Sequence, residues 1–415
     1  MQIDRKADCL RCKGSNPRAF CGREFCPVYT RAASMFKVRD RLKTEDFSGS
    51  APAPFVGRYG YPFVNVGILT PGETLEDAWK FDAPSYWAKC NFKIPEVIDL
   101  RASLVNSRFK ADIRSKSNFL DISQEVGMAS KPVELDFSLE QKPSFRMNFD
   151  PAMAPTGPTA LLKKLTLASN PRVDPKVERV FGDTDFKAVG ALTYLYENKF
   201  DENFLSRLLS VGAVGVKPQR RLVPTRWAIT AVDDMLGKKA IQEVRQLPIS
   251  NHLAFFGGYL GNYYIILFFP ETWSYELFES YLPKASWNMT SELAYMTDYE
   301  PYAGRTDYAD NCQGGYYAAR LPISEKMKEL GFQSSCLCIR IITDEYSVPL
   351  GVWVVREAVK KTMDNAPIEF ADRDLLIRYA SLIAEKKFGV RIDKILGESV
   401  LLQKLKTQKK LSSFL

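Results

Sequence analysis

Cys9-x2-Cys12-x8-Cys21-x4-Cys26 puts two close cysteine pairs on one short basic segment. Such a segment is too small to fold by burying apolar surface, and a reducing cell interior disfavours disulfides, so a metal is expected to supply the missing folding energy. Four thiolates in two turns suit tetrahedral zinc, and a shell closed by four sulfurs is structural rather than catalytic. An iron–sulfur cluster is the alternative: Cys26-Pro27 is an ending such clusters use, although the x8 gap departs from their common spacings. Lys13, Arg18, Arg23 and Arg31 offset the thiolate charge. Cys90, Cys312, Cys336 and Cys338 lie in apolar or strand-like contexts and read as buried structural thiols.

A second concentration of chemistry runs from Arg220 to Asp234. Thr225 is placed to cap a helix opening with Arg226-Trp227-Ala228, so backbone N–H groups would converge with Arg220, Arg221 and Arg226 on one anion. Arginine forks hold phosphate in bidentate fashion and Trp227 can stack on a base. Asp233 and Asp234, two turns on, are candidate catalytic carboxylates for magnesium or manganese beside that phosphate. The competing reading is a helix start with a buried tryptophan, its arginines paired with acidic neighbours. His252 is the single histidine, in an apolar setting, which excludes a mechanism needing two imidazoles. Glu276, Glu279, Asp307 and Asp310 show no spacing that names a reaction.

The third pattern is Gln408-x-x-Leu411-x-x-Phe414-Leu415. Its period of three is that of a 3₁₀ turn, which projects Gln408, Leu411 and Phe414 from one edge. This looks like the PIP box by which replication and repair proteins dock on the sliding clamp, PCNA, with Leu415 in place of the second aromatic residue. The competing reading is the apolar end of a docking helix.

These residues need a sizeable scaffold. A chain of 415 residues exceeds one hydrophobic core, and 46% hydrophobic with 26% charged residues is the balance of a globular protein. The formal charge of +8, concentrated in part between Lys386 and Lys410, favours an anionic partner without identifying it. The start lacks the apolar core of a signal peptide, so a cytoplasmic, nucleoid-associated location is expected.

The expected class is α+β in several modules: a four-cysteine metal-binding module over 1–43; a mixed β then helical domain over 55–250 carrying the basic box; an α+β domain over 251–389; and a basic tail over 390–415. Lys43 to Pro54 reads as a linker. Helical periods occur over 95–114 and 185–200, with Asp201 capping a further helix. A hairpin is expected from Leu253–Phe256 and Tyr263–Phe269. Beyond it come a helix over 273–281, a strand over 316–321, a helix over 324–330, strands over 336–343 and 350–355, and a helix over 372–387 ended by Gly389.

Taken in order, the cysteine set, Phe55-Val56-Gly57-Arg58-Tyr59-Gly60-Tyr61-Pro62, Arg220 through Asp234, Gly314-Gly315-Tyr316-Tyr317-Ala318-Ala319-Arg320, Leu350 through Glu357 and the terminal motif resemble the archaeal Nre family over nearly the whole chain. The resemblance implies a DNA-repair protein that works with the sliding clamp, beside other excision-repair proteins, and it carries over no catalytic residue. Two main hypotheses follow: a non-enzymatic DNA-binding repair factor localised by the clamp, or a metal-dependent nuclease or nucleotide-processing phosphoesterase using the box. A third is an RNA-associated or ribosome-associated protein using the zinc module and basic tail.

Overall fold

The computed structural model describes residues 9, 11–42, 44–145, 150, 153–283 and 285–407. Helices and two six-stranded sheets make the class α+β. The chain divides into two compact units, Met1–Val232 with Val348–Gly351 and Asp233–Ser347 with Val352–Leu415. The division at Val232 lies upstream of the break expected after residue 250.

The first unit is built on β1 (Asp46–Ala51), β2 (Ala53–Val56), β3 (Phe63–Thr70), β4 (Val105–Asp112), β5 (Val133–Leu139) and β6 (Thr159–Leu167). They lie in the order β1-β5-β6-β4-β3-β2, antiparallel except for β4 beside β6. Burial alternates along β4, so Val64, Val66, Ile68, Phe109 and Ala111 face the core while Phe63, Asn65 and Lys110 face the other way. Helix Asn118–Met128 closes this core with Leu120, Ile122 and Val126, and the Ser117 hydroxyl caps it.

The segment expected as a linker is partly strand β1, paired with β5. Its small residues answer to crowding: a Cβ at Gly49 would stand 2.6 Å from Thr70 Oγ1. The stretch 95–114 is helical only over Ile94–Ala102, after which the apolar period changes to two and β4 begins. Helices Pro175–Gly182, Ala188–Glu197 and Glu202–Ser210 follow, and Asp201 caps the last by accepting from the Phe204 N–H at 2.7 Å.

The second unit holds β7 (His252–Tyr259), β8 (Asn262–Phe269), β9 (Ser274–Tyr281), β10 (Ala294–Glu300), β11 (Ser335–Ile342) and β12 (Ile368–Phe370), ordered β10-β9-β11-β8-β7-β12. The expected β7–β8 hairpin is present and turns at Leu260 and Gly261, both with positive φ. Ile265, Leu267, Leu337, Ile339 and Ile341 form a core with helix Arg373–Phe388, which is capped by Asp372 and ends at Gly389 with φ 67°. The other face carries Tyr275, whose ring centroid lies 5.0 Å from that of Tyr316 on helix Gln313–Leu330.

Three expectations are corrected here. Residues 273–281 are strand β9 rather than a helix, residues 316–321 are helical rather than a strand, and residues 350–355 lead into helix Trp353–Met363. For the first two the cause is burial on all sides. Strand β9 is buried along nearly its whole length and helix Gln313–Leu330 is buried continuously from Gly314 to Ser324, so neither displays the period that would identify it.

Candidate functional site

Cys9, Cys12, Cys21 and Cys26 line one cavity of about 30 Å³ with Phe20, Val28 and Tyr29. Cys26 caps helix Pro27–Arg41, its Sγ accepting from the Tyr29 N–H at 3.4 Å. Burial pushes the Cys9 thiol up, the neighbouring Cys26 and Cys21 add to this, and Arg23 opposes it. A bound cation would reverse that balance, since it favours thiolates. Donor type and number therefore fit a tetrahedral ion. The sulfurs are not drawn into a ligand set, however: Cys21 is exposed and its Sγ donates to the Pro17 carbonyl at 3.2 Å. Among the described residues no group of three or more His, Cys, Asp or Glu is arranged to hold a metal ion. Of the other thiols, Cys312, Cys336 and Cys338 are buried as expected, whereas Cys90 is exposed.

The structure takes the basic box apart. Arg220 directs Nε to the Gly215 carbonyl at 2.7 Å, Nη1 to Phe181 at 2.7 Å and Nη2 to Asp183 at 2.6 Å. Its guanidinium thus fastens the Gly215 carbonyl and carbonyls at the end of helix Pro175–Gly182 with the donors that a phosphate was expected to take. Arg221 and Arg226 are exposed, and Trp227 is 44% exposed instead of buried. The box residues from Thr225 onward lie on helix Thr225–Val244, where the Thr225 Oγ1 accepts from the Val56 N–H at 2.9 Å. This bond ties the helix start to strand β2.

The two candidate catalytic carboxylates belong to ion pairs. Asp233 is fully buried, and its oxygens accept from Arg356 Nε at 2.9 Å and Nη2 at 2.8 Å. Asp234 accepts from Arg320 Nη2 at 2.6 Å on Oδ1 and from Lys238 Nζ at 2.8 Å on Oδ2. Arg320 also donates to Glu300 at 2.7 Å, and Glu300 accepts from the indole of Trp273 at 3.0 Å. A magnesium or manganese ion at Asp233 would have to displace a bidentate guanidinium from a site closed to water, so the geometry is that of a structural pair.

The remaining carboxylates divide in the same way. Glu279 accepts from Arg340, whose other donors reach Asn262 Oδ1. Gly315 permits this, since a Cβ there would stand 2.3 Å from Glu279 Oε1. Glu276 accepts from the Ser399 hydroxyl and from the Val400 and Leu401 N–H groups, both at 3.0 Å, and so caps helix Val400–Thr407 from a neighbouring strand. Asp307 and Asp310 are exposed. His252 is half-buried, edge-on to Phe269. Gln408, Leu411, Phe414 and Leu415 lie outside the described residues.

One group of residues has no role assigned by any spacing in the sequence. The β2–β3 hairpin exposes Phe55, Tyr59, Tyr61 and Phe63, and the Tyr61 ring centroid lies 5.1 Å from that of Trp227. Arg58 stands 5.1 Å from the Tyr59 ring centroid and donates to the Tyr59 hydroxyl at 3.3 Å. That hydrogen bond, the Arg58 charge and the more distant Arg226 hold the Tyr59 hydroxyl below the usual phenol range. The available signal was aromatic density in a glycine-rich hairpin. Its link to Trp227 needed the fold.

Two family models match the chain: Archaeal Nre, N-terminal, over residues 20–288 and Archaeal Nre, C-terminal, over residues 300–414. DNA repair protein NreB of Archaeoglobus fulgidus is 36% identical over 390 residues, which is 93% of this chain and 96% of the relative. DNA repair protein NreA of the same organism is 36% identical over 91% of this chain and 94% of its own length. DNA repair protein NreA of Haloferax volcanii is 36% identical over 79% of this chain and 80% of its own length. No solved structure matches, and no described helix is long and apolar enough to cross a membrane. With both family models in chain order and relatives matched across most of their length, the chain belongs to the archaeal Nre family.

Proposed function

We propose that this chain is a DNA-repair factor that binds DNA and is recruited by the sliding clamp through Gln408, Leu411, Phe414 and Leu415. The observation that carries the DNA part is the exposure of Arg221, Arg226 and Trp227 together with Arg58, in a chain whose relatives bear the name DNA repair protein. Guanidinium groups at a surface meet phosphate in bidentate fashion and release counterions. Replacing Arg221 and Arg226 by alanine is expected to weaken DNA binding and to lower the salt slope by about one unit per lost contact. An unchanged slope in a folded double variant returns both residues to a structural role.

Clamp recruitment rests on the spacing of the terminal motif. Leu411→Ala with Phe414→Ala is expected to cost about a hundredfold or more in clamp affinity, since burying each side chain is worth about 1.5–3 kcal/mol. Titration calorimetry against the cognate clamp tests this, and equal affinities refute it.

One zinc ion held by Cys9, Cys12, Cys21 and Cys26 completes the reading, and such an ion would supply folding energy to the leading segment. One equivalent of zinc, lost in a Cys9→Ser/Cys12→Ser variant, is the expected metal analysis. Iron with sulfide, or no metal, overturns it. The nuclease reading gains nothing from Asp233 and Asp234, whose oxygens are engaged by Arg356, Arg320 and Lys238.

A further inference from the structure

Five large aromatic side chains of the first unit are exposed around one hairpin: Tyr59 at 77%, Phe63 at 60%, Trp227 at 44%, Tyr61 at 43% and Phe55 at 38%. Solvated singly, such rings need no explanation. Gathered together they expose apolar surface that a soluble fold normally hides, which marks a contact surface.

The geometry says what kind. Tyr61 and Trp227 are tilted by 55° to each other, so they do not stack together as a closed pair. Phe63 and Phe55 lie on the side of the sheet away from the core, alternating with buried Val64 and Val56. Gly60, with φ 84°, turns the loop between the strands. The helix bearing Arg226 and Trp227 is held to β2 by the bond between the Val56 N–H and Thr225 Oγ1.

The charge around these rings is mostly positive. Arg58 and Arg226 act on Tyr59. Lys110 pairs in register with Asn65, and Arg114 and Lys116 are exposed just beyond β4. The acidic residue in register with Phe63 is Asp112, and its Oδ1 accepts from the Arg114 N–H at 2.9 Å. Flat rings beside guanidinium and ammonium groups match a ligand that is itself flat and anionic at short intervals. Bases with their phosphates have that composition. In a duplex the base faces are covered by their neighbours, so only unpaired bases offer a face to such rings.

We infer that Tyr59, Tyr61, Phe63 and Trp227, flanked by Arg58 and Arg226, form a stacking platform for unpaired bases of single-stranded DNA. This inference rests on the DNA-binding reading above and narrows its substrate from DNA in general to unpaired strands.

Fluorescence anisotropy of the full chain tests it, with a labelled single-stranded oligodeoxynucleotide and the same sequence as duplex, at one fixed salt concentration. The single strand is expected to bind about tenfold or more tightly than the duplex, because one stacked base alone contributes roughly that factor. Tyr61→Ala with Trp227→Ala should lose about tenfold or more on the single strand, and proportionally less on the duplex. Tyr61→Phe with Trp227→Phe should keep single-strand affinity within about threefold, because phenylalanine retains a π face. Thermal unfolding of all three proteins should coincide, since the rings are exposed.

Three results overturn the platform: alanine variants that bind single strands as tightly as the parent, duplex bound as tightly as single strand, or a phenylalanine pair as weak as the alanine pair. A parent chain that binds no DNA of any form removes the DNA-binding reading together with the platform. Binding to both forms that ignores the alanine pair removes the platform alone.

Discussion

Arg320, Arg340 and Arg356 in the second unit and Arg58, Arg221 and Arg226 in the first are the same residue type put to opposite uses. The first three are buried, each against a carboxylate, and Arg320 answers both Glu300 and Asp234. The other three are surface residues, two of them beside exposed aromatic rings. A guanidinium enclosed with its counter-ion is withdrawn from ligand chemistry, because pulling it away leaves a bare charge in a low dielectric. A guanidinium at the surface keeps hydrated donors that a phosphate can take over. Residue type alone does not separate these two kinds of arginine.

The sharpest way to break this contrast is Arg320→Ala, which strands Glu300 and part of Asp234. A loss of about 4–5 kcal/mol in denaturant unfolding is expected, the upper range for removing one partner of a buried ion pair. A loss below about 1 kcal/mol would place Arg320 with the surface arginines. Asp233→Ala should cost somewhat less, about 3–4 kcal/mol, since it removes the bidentate carboxylate from the buried Arg356. The same unfolding curve reads it. Arg220→Ala removes hydrogen bonds to four carbonyls at a partly exposed site, and about 1–2 kcal/mol is expected. Its DNA affinity should stay at the parent value, whereas a loss comparable to that of Arg226→Ala would return Arg220 to the proposed phosphate surface. Smallest of all is the stability effect of Arg221→Ala with Arg226→Ala, within about 0.5 kcal/mol as for ordinary surface changes. A larger destabilisation would mean that these side chains support the fold.

Signals confined to a few neighbouring residues were the legible ones. Asp201 caps the helix it was expected to cap, Gly389 ends the last long helix, and the β7–β8 hairpin stands where its glycines put it. Elements enclosed on every side were misread. Helix Gln313–Leu330 and strand β9 share an unbroken apolar appearance because each is covered all round, and periodicity records only a difference between two environments.

The residues of the candidate site were legible in the sequence and their grouping was not. The four cysteines line one cavity. The box, by contrast, was a contiguous run of chain whose members turn to different tasks: Arg220 toward carbonyls, Asp233 toward Arg356, and Trp227 toward Tyr61. The hairpin aromatics were visible as residues, yet their meeting with Trp227 is a long-range contact that no local spacing encodes.

The cap that Glu276 places on helix Val400–Thr407 fixes where a tether to the proposed docking motif would begin. Because the Ser399 hydroxyl and the Val400 and Leu401 N–H groups are fastened to a carboxylate rooted in β9, the chain is anchored at that point. From Thr407 to Phe414 there are seven residues, a reach of about 25 Å when fully extended. A clamp holding Phe414 would therefore keep the second unit at close quarters, at the high effective concentration that a short tether confers. Glu276→Ala would loosen the start of the last helix, which Leu401 and Leu402 still hold in the core, without altering a single residue of the proposed docking motif.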